Sequence, residues 1–127
     1  MSVKVTVKLN QQKINTIVEA QKKALEMTGD ATKSDIVTSA VVPKQSGELE
    51  RSGLVDTSQI ESGKVGIIFD TPYARRLYWH PEYNFRKDKN VNAQGKWMQA
   101  YVDGEKRNFT KETYKELLKM NSKGLIK

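Results

Sequence analysis

His80 is the chain's one histidine, set between Trp79 and Pro81 with Glu82 two residues on. A histidine beside a carboxylate could act as a general base or as a metal ligand. A catalytic triad or a metal site needs further partners, and no spacing here supplies them. A small hydrolase or toxin-type nuclease using His80 is therefore a remote reading. His80 is better explained as a helix-end residue, favourable beside the C-terminal end of the helix dipole. The carboxylates are scattered, and no pair is singled out for acid–base work. The glycines form neither G-x-x-x-x-G-K-S/T nor G-x-G-x-x-G, so no phosphate cradle is signalled. With no cysteine, a disulfide framework, a zinc–thiolate site and a cysteine nucleophile are all excluded. The expectation is a protein without a catalytic site, a metal or a cofactor.

Two groups of side chains suit binding instead. Arg75 and Arg76 stand with Tyr78, Trp79 and Tyr83, a basic and aromatic cluster. It could grip phosphates and stack on bases. It could equally anchor a protein interface, where Arg, Tyr and Trp predominate. A helix face that simply snorkels its arginines is the plainest alternative. The protein interface is favoured over nucleic acid because no recognised nucleic-acid module accompanies the cluster. Lys106, Lys111, Lys115 and Lys119 recur every four or five residues. They read as a solvated helix face, although the lining of a DNA channel would look the same.

The chain that must position these groups has 127 residues, the size of one ordinary domain. Apolar residues make up 37%, enough for a single core. Residues 1–80 hold 11 basic and 9 acidic side chains, and residues 81–127 hold 11 and 6. The C-terminal part thus carries +5 of the net +7. No apolar stretch approaches the ~20 residues that cross a membrane, and no secretion signal is visible at the N-terminus. A reducing, intracellular place of synthesis is expected.

Val3, Val5, Val7 and Leu9 alternate with Lys4, Thr6 and Lys8, the pattern of a half-buried strand over residues 3–9. Asn10 is a candidate N-cap. Ile14, Ile17, Val18, Ala24 and Leu25 then fall at helical spacing. Thr28-Gly29-Asp30 is a break or a kink, and Ser34-Asp35 could cap a second segment. One long bent helix and two consecutive helices are both allowed. Pro43 ends the helical region. Ser46 is placed to accept from backbone N–H groups ahead of it and to start one helical turn that buries Leu49. Residues 52–59 and 64–70 read as a hairpin about a turn at residues 61–64, with Val65, Ile67 and Phe69 on one face. Thr71 and Pro72 suit the N-cap and first position of a short helix that His80-Pro81 stops. Residues 82–95 read as a loop of about 14 residues, long for a compact domain. Helical period returns at Trp97, Ala100 and Tyr101, then at Tyr114, Leu117 and Leu118, with Asn108 or Thr110 capping the last helix.

Three segments in this order carry a resemblance. Residues 42–52, Val-Pro-Lys-Gln-Ser-Gly-Glu-Leu-Glu-Arg-Ser, resemble the V-P-x-x-S/T-G-x-L-x-x-S segment of small head–tail joining and tail-completion proteins of tailed bacteriophages. After a hairpin, residues 72–78, Pro-Tyr-Ala-Arg-Arg-Leu-Tyr, look like that family's Y-A-x-x-L/V/Y-Y/E helix. Residues 84–93, Lys96-Trp97 and the basic C-terminal helix are similar to phage and prophage minor capsid proteins of the group. The glycine that often follows the Y-A helix is replaced around Trp79-His80-Pro81.

The resemblance implies a non-enzymatic virion structural protein, made in the bacterial cytoplasm. It would be a ring-forming component of the neck, head–tail connector or minor capsid. Its partners would be neighbouring copies of itself, other connector, capsid or tail proteins, and packaged DNA through non-specific contact; no membrane is involved. The runner-up is a small basic nucleic-acid-binding protein.

The expected fold is a single α+β domain over 1–127. A small, mainly antiparallel sheet (residues 3–9, 52–59 and 64–70) packs against a long N-terminal helix and the Trp97 and C-terminal helices. Ile17, Val18, Leu25, Val65, Ile67, Phe69, Tyr73, Leu77, Trp97 and Tyr101 form the expected core. Loops at about 43–63 and 82–95 are expected to be flexible, with a frayed tail at 121–127. Arg75, Arg76, Trp79, Tyr83 and Phe85 are the expected partner-binding face, meeting Leu54 and Ile60 on the next subunit. Lys106, Lys111, Lys115 and Lys119 are the candidate DNA-channel lining.

Overall fold

The computed structural model describes residues 2–126. Its main element is one uninterrupted helix, α1 (Gln11–Thr38), which settles the choice between one helix and two. The Asn10 side chain caps it, accepting from the Lys13 N–H at 3.1 Å. Ala20, Ala24, Thr28, Thr32 and Ile36 recur every fourth residue and are all buried. This stripe is small enough for other elements to approach the helix backbone closely. The two threonines satisfy their hydroxyls within the helix, donating to the carbonyls of Ala24 and Thr28 at 2.7 and 2.8 Å. Gly29 does not break the helix. It admits the hairpin, for a Cβ there would lie 2.8 Å from a methyl of both Val55 and Val65. The helix ends at Thr38, and Ala40 turns the chain with φ +56°.

A single helical turn follows, α2 (Glu48–Arg51), and Leu49 is buried as expected. Gly47 supplies the left-handed entry at φ +85°, and the Ser46 hydroxyl accepts from the Glu48 N–H at 3.3 Å. The strands β1 (Gly53–Asp56) and β2 (Gly66–Phe69) then pair antiparallel, with Val55 opposite Ile67 and Leu54 opposite Ile68. Val55, Ile67 and Phe69 share one face with Gly53. Leu54 and Ile68 stand on the other, each 41% exposed. The ladder is shorter than the hairpin read from sequence, because a 3-10 turn at Ile60–Ser62 takes up part of the connection.

After α3 (Ala74–Tyr78) the chain runs irregularly to a 3-10 turn at Gln99–Tyr101, then enters α4 (Phe109–Asn121). α4 lies along α1, the most extensive helix contact of the fold. The architecture is thus α+β: a long N-terminal helix and a C-terminal helix with a small antiparallel sheet against them.

Several expectations change in detail. Residues 3–9 join no sheet; Val3, Val5, Val7 and Leu9 are 83%, 83%, 76% and 73% exposed. The period-two pattern is there, but no strand of the same chain lies beside it. Trp97 is not on a helix. Lys96 takes φ +47° and only a 3-10 turn follows. Trp97 is nonetheless 2% exposed, in a core with Ile36, Val42, Leu49 and Ala74. Phe69 and Tyr78 meet its ring edge-on, with centroids 5.6 and 4.9 Å away. Of the other expected core residues, Ile17, Leu25, Val65, Ile67, Phe69, Leu77 and Tyr101 are half-buried. Val18 and Tyr73 are exposed. Val18 faces an open cleft toward Ile60 and Tyr114, and Tyr73 lies on the rim of a groove described below.

The stretch read as one loop from 82 to 95 is half loop and half strap. Asn90 is buried and donates through its side-chain amide to the Val42 carbonyl at 2.8 Å. The Asn92 and Gln94 amides donate to Ala40 and Val41 at 3.2 and 3.0 Å. The Asn92 side chain donates to Ser39 at 3.0 Å. The segment 43–63, likewise read as a loop, carries α2, β1 and the 3-10 turn. Past α4 the chain wraps around the buried Ser122. Its hydroxyl donates to Lys119 and accepts from the Ile126 N–H at 3.1 Å.

Candidate interaction surface

The short helix α3 sits on the core through Ala74 and Leu77, which pack near Trp97 and Leu49. It begins later than its sequence cap suggests. Tyr73, not Thr71, occupies the N-cap position, and no side chain caps it. The buried Thr71 hydroxyl finds no partner among the described residues. With one side of α3 committed inward, Arg75 and Arg76 are left exposed.

Arg76 is held by Tyr83. Its Nε donates to the Tyr83 hydroxyl at 3.3 Å, and that bond raises the guanidinium pKa further. His80 stacks on the other part of this cluster. Its ring lies parallel to Tyr83, with centroids 4.7 Å apart, and Phe85 follows at 6.3 Å from Tyr83. His80 Nδ1 and Glu82 Oε1 are 2.7 Å apart, a bond that holds the Glu82 carboxyl below its usual range. These contacts give His80 a structural place. Among the described residues, no cluster of His, Cys, Asp and Glu could hold a metal ion.

Trp79 points elsewhere. It is 57% exposed, meets Tyr78 edge-on, and has the Lys96 ammonium 5.6 Å from its ring centroid. The five residues read as one face are therefore two neighbouring patches. Arg76, Tyr83 and Phe85 form one and Trp79 the other, while Arg75 is exposed on α3 just before Arg76. The first patch lines a groove of about 640 Å³ whose opposite wall is the Ser46-Gly47 turn and Leu49. Leu54 and Ile60 lie apart from both. Leu54 is on the outer face of the hairpin beside Ile68, and Ile60 is half-buried at the hairpin tip near Val18.

The lysines divide as well. Lys106 is engaged within the fold. Its ammonium sits 2.8 Å from Asp35 Oδ2 and 2.7 Å from the Ser39 hydroxyl. Tyr101 donates to the same Asp35 oxygen. This cluster ties the end of α1 to the approach of α4, and its members are separated by 66 and 71 positions in the chain, so no local spacing announces it. Lys111 and Lys115 are exposed on α4 and Lys119 is half-buried. No helix among the described residues is long and apolar enough to cross a membrane.

No protein-family model matches the chain, and neither does any curated protein or solved structure.

Proposed function

We propose that the protein is a structural component of a tailed phage or prophage, a ring-forming part of the neck, connector or minor capsid. The observation that carries this reading is the order of three motif segments along residues 42–97. Ser46 and Gly47 of the first and Tyr73, Arg76 and Leu77 of the second line one groove. The exposed surface supports a life in an assembly. The chain presents 9139 Å², whereas a compact monomer of its 14.5 kDa presents roughly 6,900 Å². Surface left open in the monomer is surface available to neighbours. The role is one of contact, not of chemistry.

A second reading, a small basic nucleic-acid-binding protein, rests on the exposed Lys111 and Lys115 of α4 and on the charge surplus of the C-terminal part. Electron microscopy of the purified chain at high concentration and high salt separates the two. Annular particles that persist in salt support the neck role. Monomers whose binding to random-sequence DNA falls steeply with salt support the alternative and overturn the first reading.

A further inference from the structure

Residues 3–9 carry the alternation of a strand and pair with nothing among the described residues. Their apolar row is almost wholly exposed, and Lys4, Thr6 and Lys8 make up the other row. Four alternating β-branched or aliphatic side chains left in water are unfavourable, by roughly 1.5–3 kcal/mol for each one that could be fully buried. The hairpin has the reciprocal deficiency. A two-stranded sheet is marginal alone, and both β1 and β2 are edge strands.

The segment cannot satisfy its own hairpin. The ladder begins at the Asp56–Gly66 pair, level with Leu25 of α1, and passes Gly29 at Val55. From Gln11 to Leu25 the helix rises about 21 Å, and to Gly29 about 27 Å. A strand folded back from Asn10 reaches about 23 Å by Val3. Only Val3 would come level with the first ladder pair, and the rest of the ladder runs on away from it. Pairing along the whole ladder is therefore open only to a segment from another molecule.

We propose that residues 3–9 of one copy add as a third strand to a free edge of the β1–β2 hairpin of a second copy. Alternation fixes which way the donated strand faces. Val3, Val5 and Val7 extend the inner row of Val55, Ile67 and Phe69 over α1 of the acceptor. Lys4 and Lys8 then fall on the outer row, which carries Asp56. The added segment has two lysines and no acid, while Asp56 and Asp70 mark the two ends of the ladder; Glu61 at the hairpin tip is already paired with Lys22 at 2.8 Å. Every copy donates one strand and accepts one. The contact joins two different surfaces, so repetition gives a closed ring or an open filament rather than a two-fold dimer. This geometry stands apart from the virion reading and would hold for any oligomer of the chain.

The test uses the full chain, with sedimentation equilibrium and hydrogen exchange measured across concentration. The wild type should self-associate, and amides of residues 3–9 and of a hairpin edge should gain protection together as concentration rises. A Val5→Asp/Val7→Asp variant should weaken association at least tenfold while keeping the circular dichroism and melting temperature of the monomer. Val5→Pro should do the same by removing a ladder donor. Three results overturn the proposal: a wild type monomeric at millimolar concentration, protection of residues 3–9 that is independent of concentration, or variants that associate as the wild type does. Intact strand exchange with no effect of these variants on phage particle assembly would sink the virion reading alone.

Discussion

The Lys106 ammonium lies 2.8 Å from Asp35 Oδ2, joining the last turns of α1 to the chain that leads into α4. Burial works to raise the Asp35 pKa. The hydrogen bonds from Lys106 and Tyr101 and the charge of Lys106 outweigh it and hold the carboxyl below 3.8. Tyr101 is pushed up from 10.0, first by burial and then by its bond to Asp35.

The sign of the pH dependence follows from these directions. Asp35 contributes stability above its unfolded value near 3.8, and the contribution is lost as pH falls through the lower folded value. Tyr101 contributes fully below pH 10.0 and fades as pH rises beyond it. Urea midpoints should be level near neutrality and fall on both sides. Asp35→Asn should cost about 1–2 kcal/mol at neutral pH and flatten the acid limb. An acid limb unchanged in that variant would remove Asp35 from this account.

Gly29→Ala sets helix propensity against space. The substitution gains about 1 kcal/mol as a helix residue. Its Cβ, 2.8 Å from two valine methyls, costs about 1–3 kcal/mol in displaced packing. A net loss near 1 kcal/mol is expected in thermal melts. In a Val55→Ala/Val65→Ala background the same change should become neutral or stabilising.

Asn90 is the buckle of the strap. Asn90→Ala leaves the Val42 carbonyl without its donor and should cost about 1–3 kcal/mol. Native-state hydrogen exchange should speed up at Asn92 and Gln94, whose amides bond to Ala40 and Val41. Equal exchange rates in variant and wild type would show that the strap holds without its buckle.

Trp97 fills volume and makes no hydrogen bond through Nε1 among the described residues. Trp97→Phe should therefore lose only about 1–2 kcal/mol, whereas Trp97→Ala should lose about 3–5 kcal/mol. Similar losses in the two variants would point to an acceptor for the indole N–H.

On the outer surface, Arg76→Glu with Trp79→Ala should leave circular dichroism unchanged and impair particle assembly. Truncation at an interface centre commonly costs ~2 kcal/mol or more. Unimpaired assembly, or loss of the fold itself, would count against an interface here.

Much of the fold could be read from local signals. The Asn10 cap, the helical period through Leu25, the Ser46-Gly47 turn that buries Leu49, and the alternation at Val65, Ile67 and Phe69 all rest on neighbours within one or two turns. Residues 3–9 show the limit of that method. Alternation specifies a strand's faces but not its partner. Trp97 shows another: aromatics at i and i+4 fit a helix, but Lys96 in the left-handed region and the close approach of Gly95 to Pro81 forbid one at that point. The strap was hidden because asparagines give the same signal in a loose loop as in a tied one. At the candidate surface, the sequence put Arg76, Trp79 and Tyr83 on one face, whereas Arg76 meets Tyr83 and Trp79 turns to Tyr78 and Lys96. It could not show that His80 would stack on Tyr83, because the reversal of the chain at Pro81 that brings the rings together leaves no periodic signal.

The strap also bears on how the chain reaches its structure. Its hydrogen bonds join positions separated by 48 and 53 residues, while the caps and turns of α1 and α2 form between near neighbours. Contacts that close long stretches of chain are slow to form. The helix α1, the turn of α2 and the β1–β2 hairpin can assemble before Asn90 finds Val42, so docking of the strap should be a late step of folding, together with the Asp35–Lys106 contact across 71 positions. A nascent chain would accordingly hold Ile36, Val42 and Leu49 without their full core until Trp97 has emerged.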